Sequence, residues 1–375
     1  MIQIVEKSQC CGCSACAKRC PEECITMQSD KQGFLYPVAD AEICIGCGLC
    51  ERVCPVINQG QCRQPLQTYA AKNEKERIRL TSSSGGIFSM LAESVIVEGG
   101  VVFGAKFNSQ FEVVHSFTET IAGLSDFRTS KYVQSYMGDC FEEAERFLKS
   151  GRRVLFSGTP CQIAGLKLFL LKDYANLLAV DVACHGVPSP LVWHDYKNRF
   201  NNANLGSINF RDKCKGWKSF SFTVNNKDGK VIISEPINKN SYMRGFLSNI
   251  YLRPSCYCCP SKNGKSHSDV TIADFWGINE LNPTFDDDRG VSLILVNSEV
   301  GRQHCSFFLN DENEYSFEQA LAFNPALTSS VRLSILSNWF WKMYPKYKTN
   351  TIELVLKKMS PSILKRVWRK LKKLF

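Results

Sequence analysis

Two matched runs of cysteine in the first 55 residues limit what this chain can fold into more than any other feature. In each run three cysteines stand three positions apart, and a fourth, followed by proline, comes after three further residues. The runs are Cys10, Cys13, Cys16 and Cys20 before Pro21, and Cys44, Cys47, Cys50 and Cys54 before Pro55. A cubane cluster needs one thiolate for each of its four irons, and this spacing is typical of chains that hold two such clusters. The sequence therefore predicts two 4Fe–4S clusters in an N-terminal module of residues 1–60.

The two predicted ligand sets cross between the runs, because the fourth cysteine of each run reaches the cluster of the other run in ferredoxins with this spacing. One cluster takes Cys10, Cys13, Cys16 and Cys54, and the other takes Cys20, Cys44, Cys47 and Cys50. Zinc sites use four ligands, usually in two pairs, and do not explain the third cysteine and the Cys-Pro of each run. Disulfides need an oxidising compartment, and nothing in the sequence reads as a signal peptide. We therefore expect a cytoplasmic protein whose nineteen cysteines indicate metal binding.

The net charge of +10 belongs to the end of the chain. Residues 332–375 hold twelve Lys or Arg against one acid, Glu353, so this segment carries +11 and the remaining residues carry −1. Basic character confined to one segment argues against nucleic-acid binding by the body of the protein. Within residues 360–375 the apolar positions recur at helical spacing opposite a face of Lys and Arg, which predicts an amphipathic helix on the inner, anionic face of the membrane. A helix docked on its own protein or on a partner is the alternative.

A stretch of serine and glycine begins a predicted helix in the first third of the chain. Residues 67–107 read as a β-α-β unit, with strands at Gln67–Lys72 and Val101–Phe107 around a helix at Gly85–Val97. The residues at the start of that helix are Ser83, Ser84, Gly85 and Gly86. Hydroxyls and glycines at a helix start leave amides that can bind a phosphate or diphosphate. A plain serine N-cap is the alternative.

Cysteines also follow two predicted strands of a parallel α/β sheet. The strand Arg153–Ser157 leads into Gly158, Thr159, Pro160 and Cys161, and the strand Leu177–Ala183 leads into Cys184. The carboxyl ends of parallel strands share one sheet edge, so these two cysteines should lie close together. Cys256 and Cys259, which have metal-ligand spacing, complete a predicted set of four thiols for a third cluster. The alternatives are a catalytic Cys161 activated at a helix start, a separate zinc site, and Cys258 in the place of Cys259.

Several stretches resemble the beta subunit of coenzyme F420 (deazaflavin) hydrogenases and dehydrogenases, in the form fused to an N-terminal two-cluster ferredoxin. They run in the family's order from residue 1 to about residue 300, and the tail is not covered. The stretches after the ferredoxin runs are Ser83-Ser84-Gly85-Gly86-Ile87-Phe88, Lys131-Tyr132-Val133-Gln134-Ser135, Gly158-Thr159-Pro160-Cys161-Gln162, Cys184-His185-Gly186-Val187-Pro188-Ser189-Pro190, Phe210-Arg211-Asp212-Lys213 with Gly216-Trp217, Arg253 to Pro260, and Asp274-Phe275-Trp276-Gly277.

This resemblance implies an FAD flavoprotein with a cubane cluster beside the flavin. The residues expected around FAD are Ser83, Ser84, Gly85, Gly86, Lys131, Gly158 and Thr159, and those expected on the third cluster are Cys161, Cys184, Cys256 and Cys259. The predicted catalytic residues are Lys131 and Cys161, and the resemblance places both in the lining of the FAD pocket. Lys131 would stabilise negative charge on the reduced flavin.

The predicted architecture has three parts: an α+β ferredoxin-like module (1–60), an α/β FAD-binding domain with a mixed sheet (67–330), and a basic helical tail (331–375). The predicted function is an oxidoreductase that takes electrons from a ferredoxin or another redox donor and acts on an unidentified small-molecule or lipid-linked substrate. Bacterial relatives point to surface polysaccharide biosynthesis. The alternatives are an electron-relay subunit that feeds a partner enzyme, and an enzyme that uses deazaflavin itself.

Overall fold

The computed structural model describes residues 1–359, and of residues 201–203 it describes only the backbone. The predicted amphipathic helix within 360–375 lies outside the described residues and stays a prediction. In the part of the chain that is described, no helix has the length and apolar character needed to cross a membrane.

The N-terminal module consists of two short helices and one hairpin. Its elements are α1 (Ala15–Lys18), β1 (Ile25–Ser29), β2 (Leu35–Ala39) and α2 (Leu49–Arg52). The strands pair antiparallel, with Ile25 opposite Ala39, and form a hairpin between the two cysteine runs. The two cysteine runs have matching backbones, because each helix follows a residue in the left-handed region, Ser14 at φ +67° and Gly48 at φ +74°. The sequence repeat is therefore also a structural repeat.

The remaining elements form two sheets and the helices that cover them. The strands are β3 (Gln67–Ala71), β4 (Val101–Phe107), β5 (Val113–Thr118), β6 (Val154–Gly158), β7 (Leu177–Val182), β8 (Leu205–Asp212), β9 (Ser221–Asn226), β10 (Val231–Pro236), β11 (Val270–Asp274) and β12 (Ser292–Val296). The α-helices are α3 (Glu76–Leu80), α4 (Ile87–Val97), α5 (Cys140–Lys149), α6 (Pro160–Leu170), α7 (Pro190–Lys197), α8 (Ser241–Leu247), α9 (Ile278–Leu281), α10 (Glu299–Cys305), α11 (Phe317–Phe323), α12 (Ser337–Tyr347) and α13 (Asn350–Lys358). Short 3-10 helices lie at Lys7–Gln9, Ala122–Phe127, Asn198–Ala203, Pro254–Cys258, Asp311–Asn313 and Pro325–Leu327.

The larger sheet is mixed, with the strand order β3-β12-β11-β7-β6-β4-β5. Strands β4, β6, β7 and β11 run parallel, and β3, β5 and β12 pair antiparallel with their neighbours. The segments after β6 and β7 therefore leave the sheet at the same edge, as predicted. The helix and strands predicted within 67–107 are confirmed, but β3 and β4 stand apart in the sheet.

Alternating side chains of the sheet separate two apolar cores. Phe103 and Phe156 face one core, which also contains Phe141 of α5, Ile163 of α6 and cysteines of the N-terminal module. Their sequence neighbours Val102 and Leu155 face the other core, beneath α4. The N-terminal module is thus packed onto one face of the larger sheet.

The smaller sheet, β8-β9-β10, is antiparallel, and its β9-β10 hairpin turns at Asp228-Gly229. It shares a core with α7, α8, α12 and α13, in which Phe340 and Val355 are fully buried. Residues 58–66, which join the N-terminal module to β3, have no regular structure but are held against the larger sheet, where Leu66 N–H donates to Val296 O at 2.7 Å.

Candidate redox site

One cavity of the N-terminal module is lined by four buried cysteines that the spacing assigned to a single cluster. They are Cys10, Cys13, Cys16 and Cys54, hereafter the inner cysteine group. Burial raises the pKa of the Cys16 thiol to about 12, and the charges of Cys10 and Cys54 act in the same direction. Thiols in such surroundings stay protonated unless a metal displaces the protons. The inner group therefore has the number of ligands and the chemistry that suit a cubane cluster.

A second cavity is lined by the other predicted set, Cys20, Cys44, Cys47 and Cys50, hereafter the outer cysteine group. Cys47 is exposed, so the outer group reaches the protein surface, whereas the inner group does not. The fourth cysteine of each run lies at the cavity of the other run, as the spacing predicts. Cys24, which the spacing left aside, lies at the same cavity, with its Sγ 3.4 Å from Cys20 Sγ.

Four further cysteines meet where strands of the larger sheet end, and they form the third cysteine group: Cys161, Cys184, Cys256 and Cys259. Burial raises the pKa of Cys184 to about 12, and the charges of Cys161 and Cys259 add to the effect. The pKa of Cys256 is raised by burial and by its three partners. Cys258, the alternative left open by the sequence, is exposed, whereas Cys259 is partly buried. Within residues 1–359 no three His, Cys, Asp or Glu side chains are arranged to hold a single metal ion.

Cys11 joins the inner group to the third group, which its position outside the spacing pattern did not indicate. Its thiol is buried, and the neighbouring thiols of Cys13 and Cys161 both act on its pKa, which is raised well above the ordinary value. Gln134 Nε2 also donates to Cys11 O at 3.0 Å. A single side chain thus separates a predicted ligand of one group from a predicted ligand of the other.

The third group borders a cavity of about 370 Å³ through Cys184. The lining includes six of the seven residues expected around FAD, which are Ser83, Ser84, Gly86, Lys131, Gly158 and Thr159. Gly85 is the exception, because its N–H donates to Ser292 Oγ at 3.0 Å, where it is packed against β12. Aromatic side chains such as Phe88, Phe220 and Trp276 supply apolar walls. The size, the polar loop and the apolar walls are those of a cofactor pocket. The lining is compatible with FAD, which stays a prediction.

Lys131 lines the cavity with an amine whose pKa is strongly lowered. Burial lowers its pKa to about 7, and the nearby Asp126 only partly offsets this effect. Lys131 Nζ donates to Asp126 O at 2.8 Å and to Arg128 O at 2.6 Å. An ammonium has three N–H donors, so the amine can also donate to an anion in the cavity. The geometry is compatible with the predicted role of Lys131, which stays a prediction.

His115 is a buried cavity residue that the sequence did not single out. Its Nδ1 lies 2.8 Å from Ser135 Oγ and its Nε2 lies 3.1 Å from Ser157 O, so the carbonyl fixes the proton on Nε2. Burial lowers its pKa to about 4, which keeps the ring neutral. Gln162 Nε2 donates to the same Ser135 Oγ at 2.9 Å, while Gln162 Oε1 accepts from Thr159 N–H at 2.9 Å. This network holds the loop after β6 in place at the cavity.

An ion pair with a buried guanidinium also lines the cavity. Both terminal nitrogens of Arg211 lie 2.9 Å from the two carboxylate oxygens of Asp274, and Trp217 Nε1 donates to Asp274 Oδ1 at 2.8 Å. Arg211 also donates to Ser83 O at 3.2 Å, which ties the pair to the serine-glycine loop. Its Nε is buried and has no hydrogen-bond partner among the described residues. Arg211 and Asp274 both lie in stretches that carry the family resemblance, but no spacing pattern predicts that they form an ion pair.

Comparison with known proteins gives two family matches. Residues 151–314 match the model for the C-terminal region of the beta subunit of coenzyme F420 hydrogenase/dehydrogenase, and residues 9–58 match a 4Fe-4S dicluster domain. A comparison with curated protein sequences gave no match.

Among solved structures, a chain of the F420-reducing NiFe hydrogenase complex from Methanosarcina barkeri is similar, with a TM-score of 0.47 and 15% identity over 80% of this chain and 93% of that chain. The family resemblance predicted from the sequence stretches is confirmed by the matched models. Residues 151–314 are thus similar to the C-terminal region of the coenzyme F420 hydrogenase/dehydrogenase beta subunit, and a segment similar to a 4Fe-4S dicluster domain precedes them at residues 9–58.

Proposed function

We propose that this iron–sulfur, oxidoreductase-like chain transfers electrons between a redox partner at the outer cysteine group and FAD in the main cavity, where an external substrate is reduced or oxidised. The observation that carries the proposal is the unbroken order of the redox sites. The outer group is at the surface, the inner group is buried, Cys11 links it to the third group, and Cys184 reaches the cavity.

The contacts between neighbouring groups support this order. The charge of Cys50 in the outer group acts on Cys16 in the inner group, so the two groups are adjacent. The Cys11 thiol is near enough to both Cys13 and Cys161 for each to act on its pKa. Closely spaced centres favour electron transfer through protein, and the exposed Cys47 gives a partner access to the first of them.

The cavity residues would hold FAD by complementary interactions at its two ends. The serine-glycine loop before α4 would bind the diphosphate, because its backbone is fixed by Arg211 at Ser83 O and by Lys213 Nζ at Ser84 O (3.0 Å). Lys131 would donate to an anionic flavin or phosphate oxygen. When bound, FAD would supply two-electron chemistry that single-electron clusters do not provide.

The substrate class is proposed from the tail rather than from the cavity. Residues 360–375 combine apolar and cationic faces in sequence, which supports peripheral binding to an anionic membrane from the cytoplasmic side. A lipid-linked sugar of surface polysaccharide biosynthesis would be presented at such a surface.

The test compares Cys259→Ala with the matched control Cys258→Ala, which removes the exposed neighbour. Both proteins are reconstituted anaerobically with iron, sulfide and FAD, and FAD reduction is followed after mixing with reduced ferredoxin, a donor too large to enter the cavity. We expect Cys259→Ala to lose about four irons and to slow FAD reduction at least tenfold, while Cys258→Ala behaves as wild type. Wild-type FAD reduction by Cys259→Ala would remove the third group from the path. Failure of the wild-type protein to bind FAD would favour the relay alternative.

A further inference from the structure

We infer that Arg253 sets the reduction potential of the cluster held by the inner cysteine group, as a buried cation shared between the inner and third groups. The inference rests on the proposed function, because it requires clusters at these cysteines. It concerns a residue that ligates no metal and lies outside the FAD cavity lining.

The guanidinium of Arg253 reaches from the α/β domain into the N-terminal module. The side chain is only 1% exposed. Its Nε donates to Cys10 O at 2.7 Å, and its Nη2 donates to Leu35 O at 2.8 Å and to Cys10 Sγ at 3.4 Å. Its Nη1 donates to Gln134 Oε1 at 3.0 Å. One donor is therefore directed at the sulfur of a predicted ligand.

The backbone of Arg253 is fixed at the third group. Its N–H donates to Val187 O at 3.0 Å, and its carbonyl accepts from Cys256 N–H at 2.9 Å. It immediately precedes the 3-10 helix Pro254–Cys258, so a shift of the third group would move it. The charge of Arg253 also acts on Cys161, where it favours the thiolate. One cation thus acts on ligands of both groups.

The hydrogen-bond partners of this guanidinium carry no formal charge while Cys10 is a thiol. A buried cation without an anionic partner is unfavourable, because desolvation is not offset by attraction. A cubane with four thiolates has a net charge of about −2 when oxidised and about −3 when reduced, so it supplies the missing anion. The aromatic rings of Tyr36 and Phe34, with centroids 4.4 Å and 5.4 Å from the guanidinium, exclude water from the pair.

Reduction of the cluster adds one electron and moves no proton or bond. Because the reduced form carries more negative charge, a fixed cation and a hydrogen bond to sulfur stabilise it more than the oxidised form. Arg253 therefore raises the potential of the inner cluster and favours arrival of electrons there.

Gly12 shows how closely the guanidinium approaches the cysteine run. A Cβ at this position would lie 2.6 Å from Arg253 Nη1 and 2.7 Å from Gln134 Nε2. Gly12 also has φ +72°, a conformation that other residues seldom adopt. The loop is thus built to admit the guanidinium beside Cys10.

The experiment is an anaerobic redox titration of the holoprotein, followed by electron paramagnetic resonance, on wild type, Arg253→Gln and Arg253→Lys. Arg63→Gln is the matched control, because Arg63 is a half-buried guanidinium that donates to the backbone carbonyl of Ser268 rather than to a cysteine. Arg253→Gln should lower the reduced-to-oxidised ratio of one cluster about tenfold at fixed potential, a shift of about 59 mV for one electron. Arg253→Lys keeps the positive charge but lacks the planar guanidinium, so the potential should shift less than in Arg253→Gln. In Arg63→Gln the potential should not shift.

Unchanged potentials in Arg253→Gln at full iron content would overturn the inference and leave the proposed function intact. If Arg253→Gln does not retain its iron, Arg253→Lys decides: a smaller shift in the same direction supports the inference, and a wild-type potential overturns it. Loss of the proposed function would be recognised differently, by a wild-type protein that binds no clusters.

Discussion

The affinity of the cavity for FAD should depend on pH through Lys131. In the protein without a ligand, burial lowers the pKa of this amine to about 7, so the lysine is largely neutral above that pH. An anionic oxygen of FAD at Lys131 favours the ammonium form and raises its pKa again. Binding above pH 7 must therefore include the uptake of a proton, which weakens the observed affinity as the pH rises.

The size of the effect follows from the shift of the Lys131 pKa from its ordinary value of 10.5 to about 7. Each pH unit above about 7 should raise the Kd up to about tenfold, until the pH reaches the pKa of the lysine in the complex. Between about pH 7 and pH 9 the Kd should thus rise up to about a hundredfold, and below about pH 6.5 it should be constant. Flavin fluorescence titrations of FAD-depleted protein at successive pH values measure this directly.

Two substitutions make the prediction specific to this amine. Lys131→Arg should bind FAD with little pH dependence, because a guanidinium stays charged throughout this range. Lys131→Met should bind FAD weakly at every pH, and its Kd should not rise between about pH 7 and pH 9. The reasoning is refuted if the wild-type Kd is constant from about pH 6.5 to pH 9, or if Lys131→Met keeps the wild-type rise.

Further expectations concern stability, cluster assembly and the tail. Asp274→Ala should lower the free energy of unfolding by about 3–5 kcal/mol, because it leaves its guanidinium partner buried without a counterion, and Asp274→Asn should lower it less; urea denaturation measures both. His115, with its pKa lowered from 6.5 to about 4, binds a proton more readily in the unfolded chain, so stability should fall by up to about 3 kcal/mol as the pH drops from about 6.5 to about 4, and His115→Asn should lose this part of the pH dependence. Gly165→Ala should lower the iron content by up to about four per chain, because its Cβ would lie 2.9 Å from Cys13 Sγ. Deletion of residues 360–375 should release the protein from anionic vesicles in a sedimentation assay.

Each of these expectations has a definite contrary result. Equal stability of Asp274→Ala and wild type would mean that the buried cation finds other partners. If the stability of His115→Asn falls with acid as much as that of the wild type, a group other than His115 causes this pH dependence. Full iron in Gly165→Ala would show that α6 can move away from the inner group, and undiminished vesicle binding would assign membrane contact to another surface.

The parts of the site that the sequence could predict are those held by local spacing. Cysteines three residues apart in a tight loop must converge whatever surrounds them, and Cys20 and Cys54 each line the cavity of the other run, as the spacing predicts. That each set holds a cluster stays a prediction. The third group was predictable in part, because Cys161 and Cys184 both follow parallel strands that end at one edge.

The missed residues act over long sequence separations. Arg253 donates to Cys10 across 243 positions, and His115 lies against Ser157 across 42. Neither hydrophobic periodicity nor a short motif predicts contacts between residues so far apart in the sequence. The same applies to α12 and α13, where basic composition obscured apolar residues such as Phe340 and Val355 that belong to the core. Cys11 stands outside the ligand spacing, so the spacing did not indicate its place beside Cys13 and Cys161.

The content of iron and FAD per chain after anaerobic purification and reconstitution tests the central claim most directly. Three cysteine groups feeding one cavity predict about twelve irons and one FAD. About eight irons with no flavin would contradict the account, because only the inner and outer groups would then hold clusters and the cavity would lack its proposed cofactor.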